Sequence, residues 1–234
     1  MISDNIIGIR ERIAGACRRA GRSAGDVTLL AVGKTFPASA LLEAVRGGIT
    51  EIGENYVQEL LAKQQSPGME AVRWHFIGHL QTNKVKQVVP RVAMIHAVDS
   101  VRLGLEIDRR AHEAGRVIDC LIEVNTTGEA SKFGVTPGDV VPLAEELAAC
   151  RHMRLAGLMT IGPFLPEAEG SRPMFRRLRE LRDELSRAHA HVKHLSMGMT
   201  GDFEVAIEEG ATIVRIGTAI FGRRAKPDNQ RRTP

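Results

Sequence analysis

Two textures alternate along the chain. Short runs of apolar and β-branched residues end in Gly, Asn, Ser or Asp, and each is followed by a longer stretch with apolar positions at helical spacing. The runs predict strands over residues 27–34, 51–55, 73–78, 94–99, 117–125, 154–161, 191–197 and 212–217. The stretches between them predict helices over 38–46, 56–65, 82–89, 101–114, 137–149, 171–188 and 203–209, with a leading helix over 3–20. Pro137 and Pro173 fall where a first helical turn tolerates proline. Gly47, Gly115 and Gly210 fall where helices stop.

Strict β-α alternation predicts a parallel sheet. Eight repeats within about 200 residues fit a (β/α)8 TIM barrel better than an open doubly wound sheet, which is the alternative. No helix clearly follows strand eight, and the extra N-terminal helix is placed to cover that gap. No linker interrupts residues 1–222, so one domain is expected, with a basic, disordered tail over 223–234. The segment 162–171, with two prolines, is the longest loop and reads as a lid or as a plain connection.

Composition narrows the class. The chain has 234 residues, 43% hydrophobic, which excludes disorder as the main state. The longest apolar runs fall far short of the roughly 20 residues of a membrane helix. The net charge is only +4, and one Trp, one Tyr and seven Phe leave little for base stacking, so nucleic acid is not an expected partner. Cys17, Cys120 and Cys150 are dispersed and form no CxxC pair, so neither a disulfide framework nor a cysteine zinc site is expected. The first residues carry no uninterrupted signal-peptide core, and the cytoplasm is the expected compartment.

Barrel sites form at the carboxyl ends of strands, which directs attention to what those ends carry. Lys34 ends strand one, in a chain with seven lysines against 25 arginines. A lysine there is partly desolvated, which lowers its pKa and frees a nucleophilic amine. It reads equally well as a lysine that snorkels to solvent or pairs with Glu54 or Asp99. After strands seven and eight come Ser196, Met197, Gly198, Thr200, Gly201 and Asp202, then Gly217 and Thr218. Small and hydroxyl residues at this place suit a phosphate, although turn chemistry and a capping role for Asp202 explain them too. Lys34 and these loops together favour a phosphorylated carbonyl ligand. Arg215 lies on the inward face of strand eight and needs either a salt-bridge partner or a ligand. Asn55, Tyr56 and Gln81 offer donors or a polar strand-end network. His189, His191 and His194 lack metal-site spacing, and the charges over 172–187 read as a salt-bridged helix face.

The strings LLAVGKTFP (29–37), IGENYVQEL (52–60), WHFIGHLQTNK (74–84), EVNTTGEASKFG (123–134), GLMTIGP (157–163), LSMGMTGDFEVAIEEGAT (195–212) and VRIGTAIFG (214–222) resemble the YggS/PROSC family of pyridoxal 5′-phosphate (PLP) homeostasis proteins. The resemblance implies a barrel like the N-terminal domain of alanine racemase, with PLP held as a Schiff base on Lys34. It implies that Ser196, Gly198, Thr200, Gly217 and Thr218 hold the phosphate and that Arg215 faces the pyridine nitrogen. Asn55, Met159 and Met197 would lie around the ring, and Lys132 matches a second lysine position tied to PLP transfer. Two departures stand out: Gly33 replaces a small hydroxyl residue, and His79 replaces a proline.

An arginine at the ring nitrogen disfavours its protonation and weakens PLP as an electron sink. A racemase of this fold also needs a second base, supplied by a tyrosine associated with a second domain. The only tyrosine here, Tyr56, follows Asn55 directly. The resemblance therefore implies a non-catalytic PLP carrier that stores, buffers or delivers the cofactor, with PLP-dependent apo-enzymes as recipients. The alternative is an amino-acid racemase of the same fold. A monomer or weak dimer is expected.

Overall fold

Apolar residues that recur every second position bury one face of a strand inside a closed sheet and the other under helices. The chain uses both faces. In the computed structural model, which describes residues 1–129, 133–162 and 165–222, eight strands form: β1 (Thr28–Val32), β2 (Glu51–Glu54), β3 (Arg73–Phe76), β4 (Met94–Val98), β5 (Ile118–Glu123), β6 (Met153–Met159), β7 (His194–Ser196) and β8 (Ile213–Ile216). They pair in parallel in chain order, and β1 pairs back with β8, which closes the barrel. Along β1, Leu30 and Val32 point into an inner core with Ile77, Met94, Leu121, Met159 and Ile213. Ala31 points outward into the larger core beneath the helices. The observed strands lie inside the expected ranges, except that β6 starts one residue early at Met153, and all are shorter, because the last one or two residues of each run leave the ladder to form the barrel mouth.

The helices are α1 (Ile2–Arg19), α2 (Ala38–Arg46), α3 (Val57–Gln64), α4 (Val85–Val88), α5 (Val101–Glu113), α6 (Val140–Leu147), α7 (Arg172–Ser186), α8 (Phe203–Glu208) and α9 (Thr218–Phe221). The helix expected over 82–89 is one short α-helical turn between two 3-10 turns, the second of which holds Pro90. The helix expected from residue 137 starts at Val140, because Pro137, Gly138 and Asp139 form a turn instead. A short helix, α9, follows β8, where none was expected. The leading helix does cover the gap. Ile6, Ile9, Ile13, Ala16 and Cys17 form its buried stripe, and it packs against α2, α8 and α9. Asn5 Nδ2 donates to the Ile220 carbonyl at 2.9 Å, and Arg22 Nη1 donates to the Ile207 carbonyl at 2.8 Å.

The β6–β7 seam depends on a missing side chain. A Cβ on Gly157 would lie 2.0 Å from the carbonyl oxygen of His194, its register partner. The nearest atoms are backbone, so the strands must separate to admit it. Gly157→Ala is expected to cost about 3 kcal/mol and lower Tm by roughly 6–12 °C in thermal unfolding. Gly104→Ala, whose Cβ meets the movable end of Leu147, is the control. It is expected to cost less than half as much, helped by a gain in helix propensity.

Candidate functional site

The carboxyl ends of the strands surround a cavity of about 390 Å³. Lys34, Asn55, Thr200, Arg215, Gly217 and Thr218 all line it. Six expected residues that are scattered over 185 positions of sequence therefore meet in one space. Ile77 and Ile161 add apolar wall, and Ala168 and Ser171 bring the start of α7 over one side. The other four expected residues lie outside the lining. Met159 is in the inner core below, and Met197 packs in the outer core under the helices. Ser196 is fully buried, and Gly198 turns the chain after β7.

Lys34 is mounted rigidly. The chain leaves β1 after Val32, and Gly33 N donates to the Gly53 carbonyl at 2.9 Å. Lys63, on α3, reaches behind this turn. Its Nζ donates to the Gly33 carbonyl at 2.8 Å and to Glu54 Oε1 and Glu59 Oε2 at 2.7 Å each. Glu59 Oε2 in turn accepts from the Thr35 N–H at 2.7 Å. The peptide groups before and after Lys34 are thus both fastened to one buried ion cluster. Thr35 is the only non-glycine residue with a left-handed φ, 67°, among the described residues. That conformation costs of order 1–2 kcal/mol and persists because the cluster holds it. Burial pushes the Glu54 carboxyl up, against the pull of Lys63.

This arrangement accounts for Gly33. A Cβ there would fall 2.7 Å from Glu54 Oε1 and 2.9 Å from Leu41 Cδ2. Glu54 takes the space a side chain would need, and its ion-pair partner is Lys63. The role of Lys63 was not read from the sequence, where it is one of several helix lysines. The available signal was its spacing of four from Glu59.

Arg215 forms the floor. Its Nη1 donates to both the carbonyl and the Oγ of Ser196 at 2.7 Å, and Nη2 donates to the Thr160 carbonyl at 2.7 Å. Burial lowers its pKa to about 10, against the charges of Glu123 and Asp202, so it remains a cation at neutral pH. Among the described residues it makes no salt bridge, and its bonds go to these two carbonyls and one hydroxyl. The loop after β7 packs closely on α8. A Cβ on Gly198, at φ 91°, would lie 2.6 Å from Ala206 Cβ and 2.9 Å from Phe203 Cα. Thr200 Oγ1 accepts from the Ala219 N–H at 3.3 Å, joining this loop to α9. Asp202 sits at the N-cap of α8 but makes no side-chain cap bond; its Oδ1 instead accepts from the Met199 N–H at 2.7 Å, within the loop before the helix.

Across the barrel from Arg215 stand two acidic groups, Asp99, the strand-end carboxylate weighed as a partner for Lys34, and Glu123, which the sequence pattern does not single out. Glu123, at the end of β5, is only 6% exposed. Burial raises its pKa to about 7, lowered in part by Arg215 and raised further by Asp99. Asp99 Oδ2 lies 3.4 Å from His79 Nδ1, and the His79 ring stacks on Phe133 at 4.1 Å. The histidine that stands in place of proline therefore has a stacking partner and a carboxylate. Lys132 lies outside the described residues.

Residues 9–225 match the family described as alanine racemase, N-terminal domain. The pyridoxal phosphate homeostasis protein of Aquifex aeolicus is 49% identical over 217 residues, which are 92% of this chain and 95% of that protein. PipY of Synechococcus elongatus, solved without PLP, shares 33% identity and a TM-score of 0.85 over 95% of this chain and 100% of its own. With PLP bound, the same protein gives a TM-score of 0.82 at 32% identity and the same coverage. An alanine racemase of Clostridium difficile has a TM-score of 0.71 at 16% identity, over 96% of this chain and 58% of that one, a likeness of fold.

The raised carboxyl of Glu123 makes a prediction of definite sign. A carboxyl whose pKa is higher in the folded than in the unfolded chain contributes stability below the unfolded value. That contribution is lost as pH rises from about 4.5 to about 7. Glu123→Gln removes the loss. Urea unfolding is expected to show the variant about 3 kcal/mol more stable than wild type at most near pH 8, and equal to it near pH 4.

Proposed function

We propose, for a chain that belongs to the YggS/PROSC family of pyridoxal phosphate homeostasis proteins, that its barrel mouth holds PLP covalently on Lys34. We further propose that the protein stores and delivers this cofactor in the cytoplasm rather than turning over amino acids. The observation that carries the reading is the convergence of Lys34, Thr200, Thr218 and Arg215 on one cavity. The Lys34 amine would condense with the cofactor's aldehyde, with loss of water. The Thr200 and Thr218 side chains and the Gly217 backbone would hold its phosphate, and Arg215 would face its ring nitrogen. The cavity volume is within the ordinary range for small-molecule sites. The PLP-bound form of PipY and the names of the curated relatives support the same ligand.

When bound, PLP supplies an electron sink whose strength rises with protonation of its ring nitrogen. Arg215 works against that. Its guanidinium has donors and no acceptor, and it stays charged far above neutral pH. The fixed peptide groups on either side of Lys34 hold its backbone at the mouth. Tyr56 is 53% exposed at the start of α3 and does not line the cavity, so it is not placed as a second base. These features support retention and release of a cofactor over proton exchange at a substrate carbon.

Purified protein given PLP is expected to show a visible absorption band that borohydride bleaches, and Lys34→Ala is expected to lack it. A wild type that stays colourless with excess PLP would sink the assignment. Rapid, Lys34-dependent deuterium wash-in at Cα of alanine would instead establish the racemase.

A further inference from the structure

A hydrogen-bonded chain crosses the barrel interior beneath the cavity. Glu51 Oε2 lies 2.6 Å from His75 Nε2, and His75 Nδ1 lies 2.8 Å from His96 Nε2. His96 Nδ1 lies 2.9 Å from Ser196 Oγ, and Ser196 Oγ lies 2.7 Å from Arg215 Nη1. The chain joins β2, β3, β4, β7 and β8, and its middle is shut away from water. His75 is 3% exposed, and His96 and Ser196 are fully buried.

The two ends determine its direction. A guanidinium only donates and a carboxylate only accepts. Ser196 Oγ therefore accepts from Arg215, and His75 Nε2 donates to Glu51. His75 Nδ1 is then bare and accepts from His96 Nε2–H. His96 Nδ1 is bare in turn and accepts the Ser196 hydroxyl proton. In this order every proton has one acceptor and both imidazoles are neutral. A proton added to His75 would turn the two inner bonds round. The Ser196 oxygen would then accept from both sides, and its own proton would be left without its buried partner. Burial first, with the charge of Arg215 nearby, keeps His96 well below the usual histidine range. Burial pushes Glu51 up, but the hydrogen bond from His75 and the charge of Arg73 hold it below the usual carboxylate range.

We propose that Glu51, His75 and His96 are positioning residues for the cofactor site, acting through Ser196 to fix the guanidinium of Arg215 at the cavity floor. The proposal rests on the reading of that cavity as a PLP site. Its logic is a count of protons. A guanidinium has five N–H groups. Three are committed to the Ser196 carbonyl, Ser196 Oγ and the Thr160 carbonyl. Among the described residues the Nε–H and the second proton of Nη2 have no acceptor, which leaves them for a ligand. Ser196 Oγ keeps a lone pair for Arg215 whichever way its own proton turns, but only His96 gives that buried proton a partner and so holds the hydroxyl in one orientation. With His96 unable to accept, the hydroxyl proton is buried without a partner and the oxygen that anchors the arginine is no longer fixed.

The test reads the chain and the ligand separately. In the full-length protein labelled with 15N-histidine, NMR is expected to show His75 and His96 each protonated on Nε2 and bare on Nδ1. In Glu51→Gln the carboxamide can also donate, so the chain can run either way. The 15N shifts of His96, which Glu51 does not touch, are expected to move. Fluorescence titration with PLP is expected to give a Kd about tenfold weaker for His96→Phe than for wild type. His96→Asn, which keeps one acceptor and one donor, is expected to recover part of that loss. A proton on Nδ1 of His96 in wild type, His96 shifts unmoved in Glu51→Gln, or an unchanged Kd in His96→Phe would each overturn the proposal. A wild type that does not bind PLP overturns the cofactor reading on which it rests, while the imidazole spectra still decide the direction of the chain.

Discussion

A guanidinium buried at the centre of the barrel is the constraint around which the mouth is organised. Arg215 is 5% exposed, and no carboxylate is bonded to it among the described residues. A buried cation without an ion-pair partner must be paid for in hydrogen bonds. Here the acceptors are the Ser196 and Thr160 carbonyls and the Ser196 hydroxyl. Those carbonyls sit at the ends of β7 and β6, so satisfying one side chain on β8 also ties three strand ends together. The same side chain is the floor of the cavity. Its bonds hold the carboxyl ends of β6 and β7 beside that floor.

Lys34 has a different kind of support. The residue sits one step beyond a strand, where a free loop would let it wander. Glu54, Glu59 and Lys63 prevent this by holding the carbonyl before it and the N–H after it. A buried ion pair contributes little net stability against an apolar substitute, because desolvation offsets the attraction. Its value here lies in direction, since it holds Thr35 in a conformation that costs energy and fixes the backbone from which Lys34 lines the cavity. Gly33 belongs to the same device, because any larger residue would displace Glu54.

The outer layer has its own seam where the last strand meets the first. Arg172, at the start of α7, bonds Glu208 at 2.7 Å and Glu209 at 3.2 Å at the end of α8. Glu208 also bonds Arg19 of α1 at 2.8 Å, and Glu204 bonds Arg12 of α1 at 2.8 Å. Arg12 lies over the Phe203 ring at 4.5 Å. Each pair is partly exposed and individually worth little, but the network links three helices across the closure. The basic stretch over 172–187 reads from its spacing as a helix that pairs with itself. Arg177 and Glu180 do so, whereas Arg172, Arg176 and Arg179 reach across to Glu209.

The alternation of short apolar runs with helical stretches determined the barrel, because a strand buried on both faces and a helix buried on one leave different periodicities in any chain that folds this way. It placed all eight strands, and it placed α1 over the gap beside β8. Strand-end position was enough to single out Lys34, Arg215 and the loops carrying Thr200 and Thr218, since in a barrel that position alone defines the mouth. The sequence could not reveal what depends on contact between distant segments. Lys63 behind Lys34, the ring stack of His79 with Phe133, Glu123 facing Arg215, and the line from Glu51 through two histidines to Ser196 all join residues on different strands or loops. Periodicity tells which face a side chain occupies. Which atom it meets there is decided only when the sheet closes, because closure sets the stagger between strands and brings β2, β3, β4, β7 and β8 around one interior.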